Sequence, residues 1–336
     1  MRRAAAFRTA TARCRRSWGP LAARTTRAGQ GAHEASGRVP TEDPIGPEAP
    51  RTGGATLGYP ARVQLPNPVR RLAWATDVHL NFLSATGIDA FREALARQEA
   101  DAVVITGDIA EAPTLDSLLS VLAAELKTPI YFVLGNHDFY RGSIPEVREV
   151  ARAMSRRSPW LGYLPAAGVV ELTPEIALVG VDGWSDGRLG DYLRSPVMLN
   201  DYLLIAELSG LGKGERLDRL NALGEAEAEA LRGPLTQAIA RYRRVIVATH
   251  VPPFKEACWH DGRPSNDDWL PHFSCHAVGE VLREAALAHP GKKIRVLCGH
   301  THGQGQAEIL PNLKVMTGGA EYGEPRIQGV IELGEA

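Results

Sequence analysis

The stretch RVLCGHTHGQG, residues 295–305, decides how the rest of the chain is read. A short apolar run, Val296-Leu297-Cys298, stops at Gly299, and His300 and His302 follow with one residue between them. Residues two apart in an extended chain point to the same side, so the spacing predicts two imidazoles facing one place at a strand end. Upstream, VRRLAWAT (69–76) reads as a strand and runs into Asp77-Val78-His79. A strand at 102–106 is followed by Gly107-Asp108, one at 130–134 by Gly135-Asn136-His137-Asp138, and one at 244–249 by His250. Five strand ends therefore carry Asp, Asn or His. In open α/β sheets the carboxyl ends of strands are where ligands bind, and a preceding glycine lets the backbone turn sharply.

Between these strands the periodicity changes. Ile88, Phe91 and Leu95 recur at helical spacing, as do Leu115, Leu118, Leu119, Leu122 and Leu126. Strand-helix-strand order predicts parallel pairing with crossover helices. SIPE (143–146) predicts a helix N-terminus with a capping box at Ser143, running to about Arg157. VVEL (169–172) and IALVGV (176–181) predict a hairpin around Thr173-Pro174. A helical region over about 222–243 is expected to kink or break at Gly233-Pro234. Another helix is expected near 277–289, with strands at 294–298, 307–310, 313–317 and 327–332. Residues 251–275 read as a long structureless loop: either a rim that selects substrate or a surface loop clustered on Trp259, Trp269 and Phe273.

The chain of 336 residues is 44% hydrophobic and 23% charged, ordinary for a globular protein. Its net charge of −1 hides an asymmetry: residues 1–33 hold eight arginines and no acid, which leaves 30 basic against 39 acidic residues elsewhere. An acidic body argues against a nucleic-acid partner. No apolar run is long enough for a membrane span, and no membrane partner is expected. Cys14, Cys258, Cys275 and Cys298 show no metal-type spacing and suit a reducing compartment. Residues 1–64 lack hydrophobic periodicity and read as a disordered or spurious tail, with 65–336 as one domain. The expected location is cytoplasmic, or organellar should the arginine-rich start act as a transit peptide.

Asp77, His79, Asp108, Asn136, His250, His300 and His302 make seven candidate metal ligands. Any one of them is common by chance, and a lone His beside a strand is more often a core residue. The conjunction carries the reading. Imidazoles mixed with carboxylates and an amide oxygen suit Mn, Fe or Zn rather than Ca, and the lack of thiolates argues against a structural zinc site. Seven ligands are too many for one ion, which predicts two divalent metal ions sharing a carboxylate. Paired ions about 3.5–4 Å apart fit phosphoryl hydrolysis.

The order D-x-H, G-D, G-N-H-D, H, G-H-x-H resembles the calcineurin-like metallophosphoesterase superfamily over about residues 70–320. That resemblance implies a four-layer αββα sandwich, an α/β fold of two mixed β-sheets flanked by helices. It implies that Asp77, His79 and His302 hold one metal, that Asn136, His250 and His300 hold the other, and that Asp108 bridges, so that the 300–302 turn straddles the pair. It makes His137 a catalytic residue acting on substrate, with Asp138 orienting its ring. It also implies hydroxide attacking phosphorus in a phosphorylated small molecule, monoester or diester. One departure is Glu111, where the family often has Asp. A non-catalytic scaffold or a metal-dependent nuclease is the alternative; the first need not retain these residues, and the acidic body opposes the second. Arg141 reads as a substrate-phosphate contact or a surface salt bridge, and Asp182 as a turn residue. His260 and His272 read as hydrogen-bonded rather than as a third metal site.

Overall fold

The computed structural model describes residues 69–260 and 262–334, all within one compact unit; the expected tail at 1–64 lies outside the described residues. Two sheets dominate. The first has the order β13 (Ile327–Glu332), β1 (Arg71–Ala75), β2 (Ala102–Thr106), β3 (Ile130–Val133), β4 (Leu161–Tyr163). The second has the order β11 (Gly305–Leu310), β12 (Leu313–Thr317), β10 (Lys293–Cys298), β7 (Arg244–Ala248), β6 (Ile176–Gly180), β5 (Val170–Thr173). Each is mixed: β1 to β4 run parallel with β13 antiparallel on the edge, while β12, β10, β7 and β6 run parallel between antiparallel β11 and β5.

The side-chain period of two sorts these strands into four layers. Leu72 and Trp74 of β1, Val104 of β2, Tyr131 of β3, Leu178 of β6 and Leu297 of β10 share one buried cluster between the sheets. Their neighbours Ala73, Val103 and Phe132 face the other way, onto Phe91, Leu119 and Met154 of helices Ala85–Ala96, Ala112–Leu126 and Ile144–Arg157. On the far side Val179, Val247 and Val296 pack on Leu231 and Leu235 of helix Lys213–Arg241 and on Val278 and Leu282 of helix His276–Ala288. Strands buried on both faces read as continuous apolar runs rather than alternating ones. Each fully buried Val, Leu or Phe stabilises this sandwich by roughly 1.5–3 kcal/mol.

Three expectations need correction. The break at Gly233-Pro234 does not occur; the helix runs unbroken from Lys213 to Arg241 with Pro234 inside it. Ala230, whose carbonyl loses its partner to Pro234, is exposed, and so is Gly233; the lost bond therefore falls on the solvent side, while Leu231, Leu235 and Ile239 keep the buried stripe continuous. Ser143 is the N-cap of its helix, but its side chain caps nothing. The Ile144 N–H donates to Glu207 Oε2 instead, at 2.9 Å. Residues 251–275 are not structureless: they hold a 3₁₀ turn at Lys255–Ala257, a hairpin of β8 (Trp259–His260) and β9 (Arg263–Pro264), and a helical turn at Leu270–Phe273. Among the described residues no helix is long and apolar enough to cross a membrane.

Candidate metal centre

The parallel strands β1, β2 and β3 of the first sheet end at Ala75, Thr106 and Val133, and β7 and β10 of the second sheet end side by side, with Ala248 paired to Leu297. The loops that follow interlock through the backbone. The Asp77 N–H donates to the Gly107 carbonyl, His79 N–H to the Asp108 carbonyl, and Gly299 N–H to the His250 carbonyl. These turns are sharp. Asp77, His79, Asp108, His300 and His302 all have positive φ, between 41° and 70°. Each non-glycine residue held there costs on the order of 1 kcal/mol or more, the kind of strain that collects at functional sites. The glycines are needed for close approach: a Cβ on Gly135 would lie 2.2 Å from Asp108 Oδ1, and one on Gly299 would lie 2.0 Å from Asp77 Oδ2.

The backbone at His300 and His302 therefore corrects the reading of an extended chain with both rings on one side. Left-handed at both positions, the turn sends the rings apart. His302 Nε2 lies 3.4 Å from Asp77 Oδ1 and 3.5 Å from His79 Nε2. His300 Nδ1 lies 2.9 Å from Asn136 Oδ1, which is 3.0 Å from His250 Nε2. Asp108 stands between the two groups. Its Oδ1 is 3.3 Å from His250 Nε2 and its Oδ2 is 3.8 Å from His79 Nε2. One half-site thus comprises Asp77, His79 and His302, the other Asn136, His250 and His300, with Asp108 shared. Ligand atoms of Asp77, His79, Asp108 and His302 all lie within 4.8 Å of one another. Donors 2.0–2.2 Å from a common ion sit at most about 4.4 Å apart, so the cluster is slightly wider than a closed coordination shell and a small inward shift of the side chains would let it hold a cation.

The donor chemistry fits as well. Asp77 and Asp108 are both 1% exposed, and among the described residues neither is paired with Lys or Arg. Burial raises Asp108 well above the usual carboxylate range, with Asp77 and Asp138 adding to it. Burial also pushes the imidazoles down: His79 to about 3, His137 to about 2 and His300 to about 4, with His250 lowered in the same direction. Neutral rings keep the lone pair that a metal needs. Two tautomers are dictated by backbone carbonyls, which can only accept. His250 Nδ1–H donates to Thr106 O at 2.9 Å, and His300 Nε2–H donates to His272 O at 2.9 Å. The lone pairs left over point into the cluster.

Several surrounding residues were not legible in the sequence, or were read differently. Asn136 Nδ2 donates to Asp201 Oδ1 at 2.9 Å, which also accepts the Tyr140 hydroxyl at 2.7 Å. That pins the amide with its oxygen toward His250 and His300. Asp138 does not orient the His137 ring. Its carboxylate accepts the N–H groups of Ile109, Ala110 and Gly135 at 2.8–2.9 Å, tying the β2 and β3 loops together. The His137 ring instead stacks on Tyr140, centroids 4.2 Å apart, with Nε2 3.9 Å from Asp108 Oδ2 and Nδ1 without a hydrogen-bond partner. Asp182 is no simple turn residue. Buried at 1% exposure, it accepts from Arg148 Nε at 2.9 Å and Tyr163 OH at 2.7 Å, while Arg148 also pairs with buried Glu227. Arg141 forms an ion pair with Glu111. His272 bonds Ser195 and Tyr202, and His260 lies 3.1 Å from the Thr301 carbonyl.

A family model, calcineurin-like phosphoesterase, matches residues 70–304. The phosphopantetheinyl hydrolase of Mycobacterium tuberculosis is similar in structure, with a TM-score of 0.52 and 13% identity over 78% of this chain and 95% of that one. A dimetal phosphatase from Danio rerio gives a TM-score of 0.48 and 16% identity over 75% and 88%. No curated protein matches the sequence.

Proposed function

Because the chain belongs to the calcineurin-like phosphoesterase family, we propose that it hydrolyses phosphate esters of small molecules at a dinuclear metal centre. Asp77, His79 and His302 would hold one ion and Asn136, His250 and His300 the other, with Mn, Fe and Zn all suited to this donor set. The observation that carries the reading is the position of Asp108, whose two oxygens address the two half-sites separately. Ions held there would supply Lewis-acid chemistry, activating water and neutralising charge on phosphoryl oxygens.

The remaining residues have physical tasks of their own. Stacking on Tyr140 fixes the His137 ring, and its Nε2 stands over the Asp108 carboxylate at the open side of the cluster. There it can donate to a phosphoryl oxygen or to the leaving group. Asp138 acts at one remove, by holding the two loops that carry Asp108 and His137 in register. The test is hydrolysis of an aryl phosphate monoester and diester by protein loaded with Mn²⁺, Fe²⁺ or Zn²⁺. Metal-dependent turnover that a chelator abolishes is expected. A folded, metal-loaded protein inert toward both esters would leave the scaffold role instead, and competition by single-stranded DNA at low salt would point to a nuclease.

A further inference from the structure

Among the described residues, only two of the large apolar side chains that stand exposed are aromatic: Phe82 and Tyr322, 50% and 54% exposed. They are not scattered singly, as exposed apolar residues usually are. The rings touch edge to face, 5.4 Å apart at 85°. Both also sit against the candidate ligands. Tyr322 lies 4.7 Å from the His79 ring and 4.9 Å from the His302 ring, and Phe82 lies 5.7 Å from His79. The Tyr322 hydroxyl is 3.5 Å from His137 Nε2.

Two different parts of the chain supply this pair. Phe82 ends the 3₁₀ turn Leu80–Phe82 that follows His79 directly. Tyr322 lies on the connection from β12 to β13, brought back beside β1 because β13 pairs antiparallel with it. It falls beyond residue 304, where the family match stops. The shared metal-binding pattern therefore does not prescribe it. A half-exposed ring pair keeps apolar surface in water that a planar partner would cover, and offset or edge-to-face ring contact adds to the area term.

We propose that Phe82 and Tyr322 form an aromatic wall at the mouth of the metal centre and select phosphate esters whose leaving group carries a planar aromatic ring; this rests on the hydrolase reading above. The test compares benzyl phosphate with cyclohexylmethyl phosphate, which differ in ring planarity while both release a primary alcohol. With Mn²⁺-loaded protein, kcat/KM should favour the benzyl ester roughly three- to tenfold, mostly through KM. Phe82→Ala and Tyr322→Leu should each bring the ratio toward one, and Tyr322→Phe, which keeps the ring, should preserve it. Equal kcat/KM for the two esters, or a ratio that both ring-removing variants leave unchanged, overturns the wall while the hydrolase reading stands. Titration calorimetry with benzylphosphonate and cyclohexylmethylphosphonate separates the two ideas. Selective binding of the benzyl compound without hydrolysis of either ester supports the wall and sinks the hydrolase reading. Binding of neither phosphonate overturns the wall.

Discussion

The two half-sites share Asp108 but are built differently. Around Asn136, His250 and His300 every group is tied down: both ring tautomers are set by backbone carbonyls, and the amide is gripped by Asp201 and Tyr140. Around Asp77, His79 and His302 only the carboxylate is held in that way, accepting from the Thr76 hydroxyl at 2.6 Å and the His300 N–H at 3.1 Å, and the two rings are looser. His79 Nδ1 has no hydrogen-bond partner, and the His302 side chain is 22% exposed. Outer partners that orient ligands raise metal affinity. In the proposed dinuclear centre this difference would make the closed half-site the tighter metal site and leave substrate entry to the open one, where His137, Tyr322 and Phe82 gather.

The largest effect should come from the residue the half-sites share. Asp108→Ala removes an oxygen donor from both, and elemental analysis of the reconstituted variant should find neither ion retained. A metal count equal to wild type would overturn the shared role. Next, His137→Ala should leave metal content intact and cut turnover by roughly two to four decades, the scale for general acid-base groups. Wild-type turnover in that variant would remove His137 from the chemistry.

Most of the candidate ligands of both half-sites stood out in the sequence as polar residues at or just after the end of an apolar run, a contrast visible without coordinates. Asp77, Asp108, Asn136, His250 and His300 all have that form. The supporting residues carry no such mark. Asp201 reaches Asn136 across 65 positions from a single helical turn, and Tyr322 depends on an antiparallel edge strand. Arg148 and Glu227 look like solvent-facing helix residues until the sheet closes over them, since a buried ion pair and an exposed one share the same letters. Strand β4 has only three residues, too short for any periodicity to register. Phe82 and Tyr322 were invisible for a related reason: exposure of an aromatic ring is a tertiary fact.

Asp201→Leu tests the contrast between half-sites directly. It removes the acceptor that orients Asn136 and touches no candidate ligand of the open half-site. A competition titration should show the tighter of two metal-binding steps weakened roughly 10- to 100-fold, the usual cost of losing such a partner, with the weaker step little changed. Asp201→Asn, which keeps an oxygen in place, should recover part of the loss. Equal weakening of both steps would mean that the two half-sites are not separately organised.

The smallest effect on the site itself, read as a pH dependence of stability, concerns the ion cluster behind the closed half-site, where one guanidinium serves two carboxylates. Arg148 lies between Asp182 and Glu227; the Asp182 carbonyl accepts the His250 N–H at 2.7 Å, and Glu227 Oε2 accepts the Gly183 N–H at 3.2 Å. Burial pushes Glu227 up to about 7, reinforced by Asp182 and opposed by Arg148. A carboxyl whose pKa is higher folded than unfolded binds more protons in the native state between the two values. Its contribution to stability is therefore full below the ordinary Glu range near 4.5 and is lost as pH rises through about 7. Glu227→Gln should flatten that slope, so that its melting temperature relative to wild type is higher at pH 8 than at pH 5, by a few degrees at most. Arg148→Met gives the opposite sign, since it strands both carboxylates in the interior, and should cost about 3–5 kcal/mol in denaturant unfolding. If Glu227→Gln instead tracks wild type at every pH, Glu227 is ionised throughout, and the cluster contributes packing rather than a titrating charge to the frame behind His250.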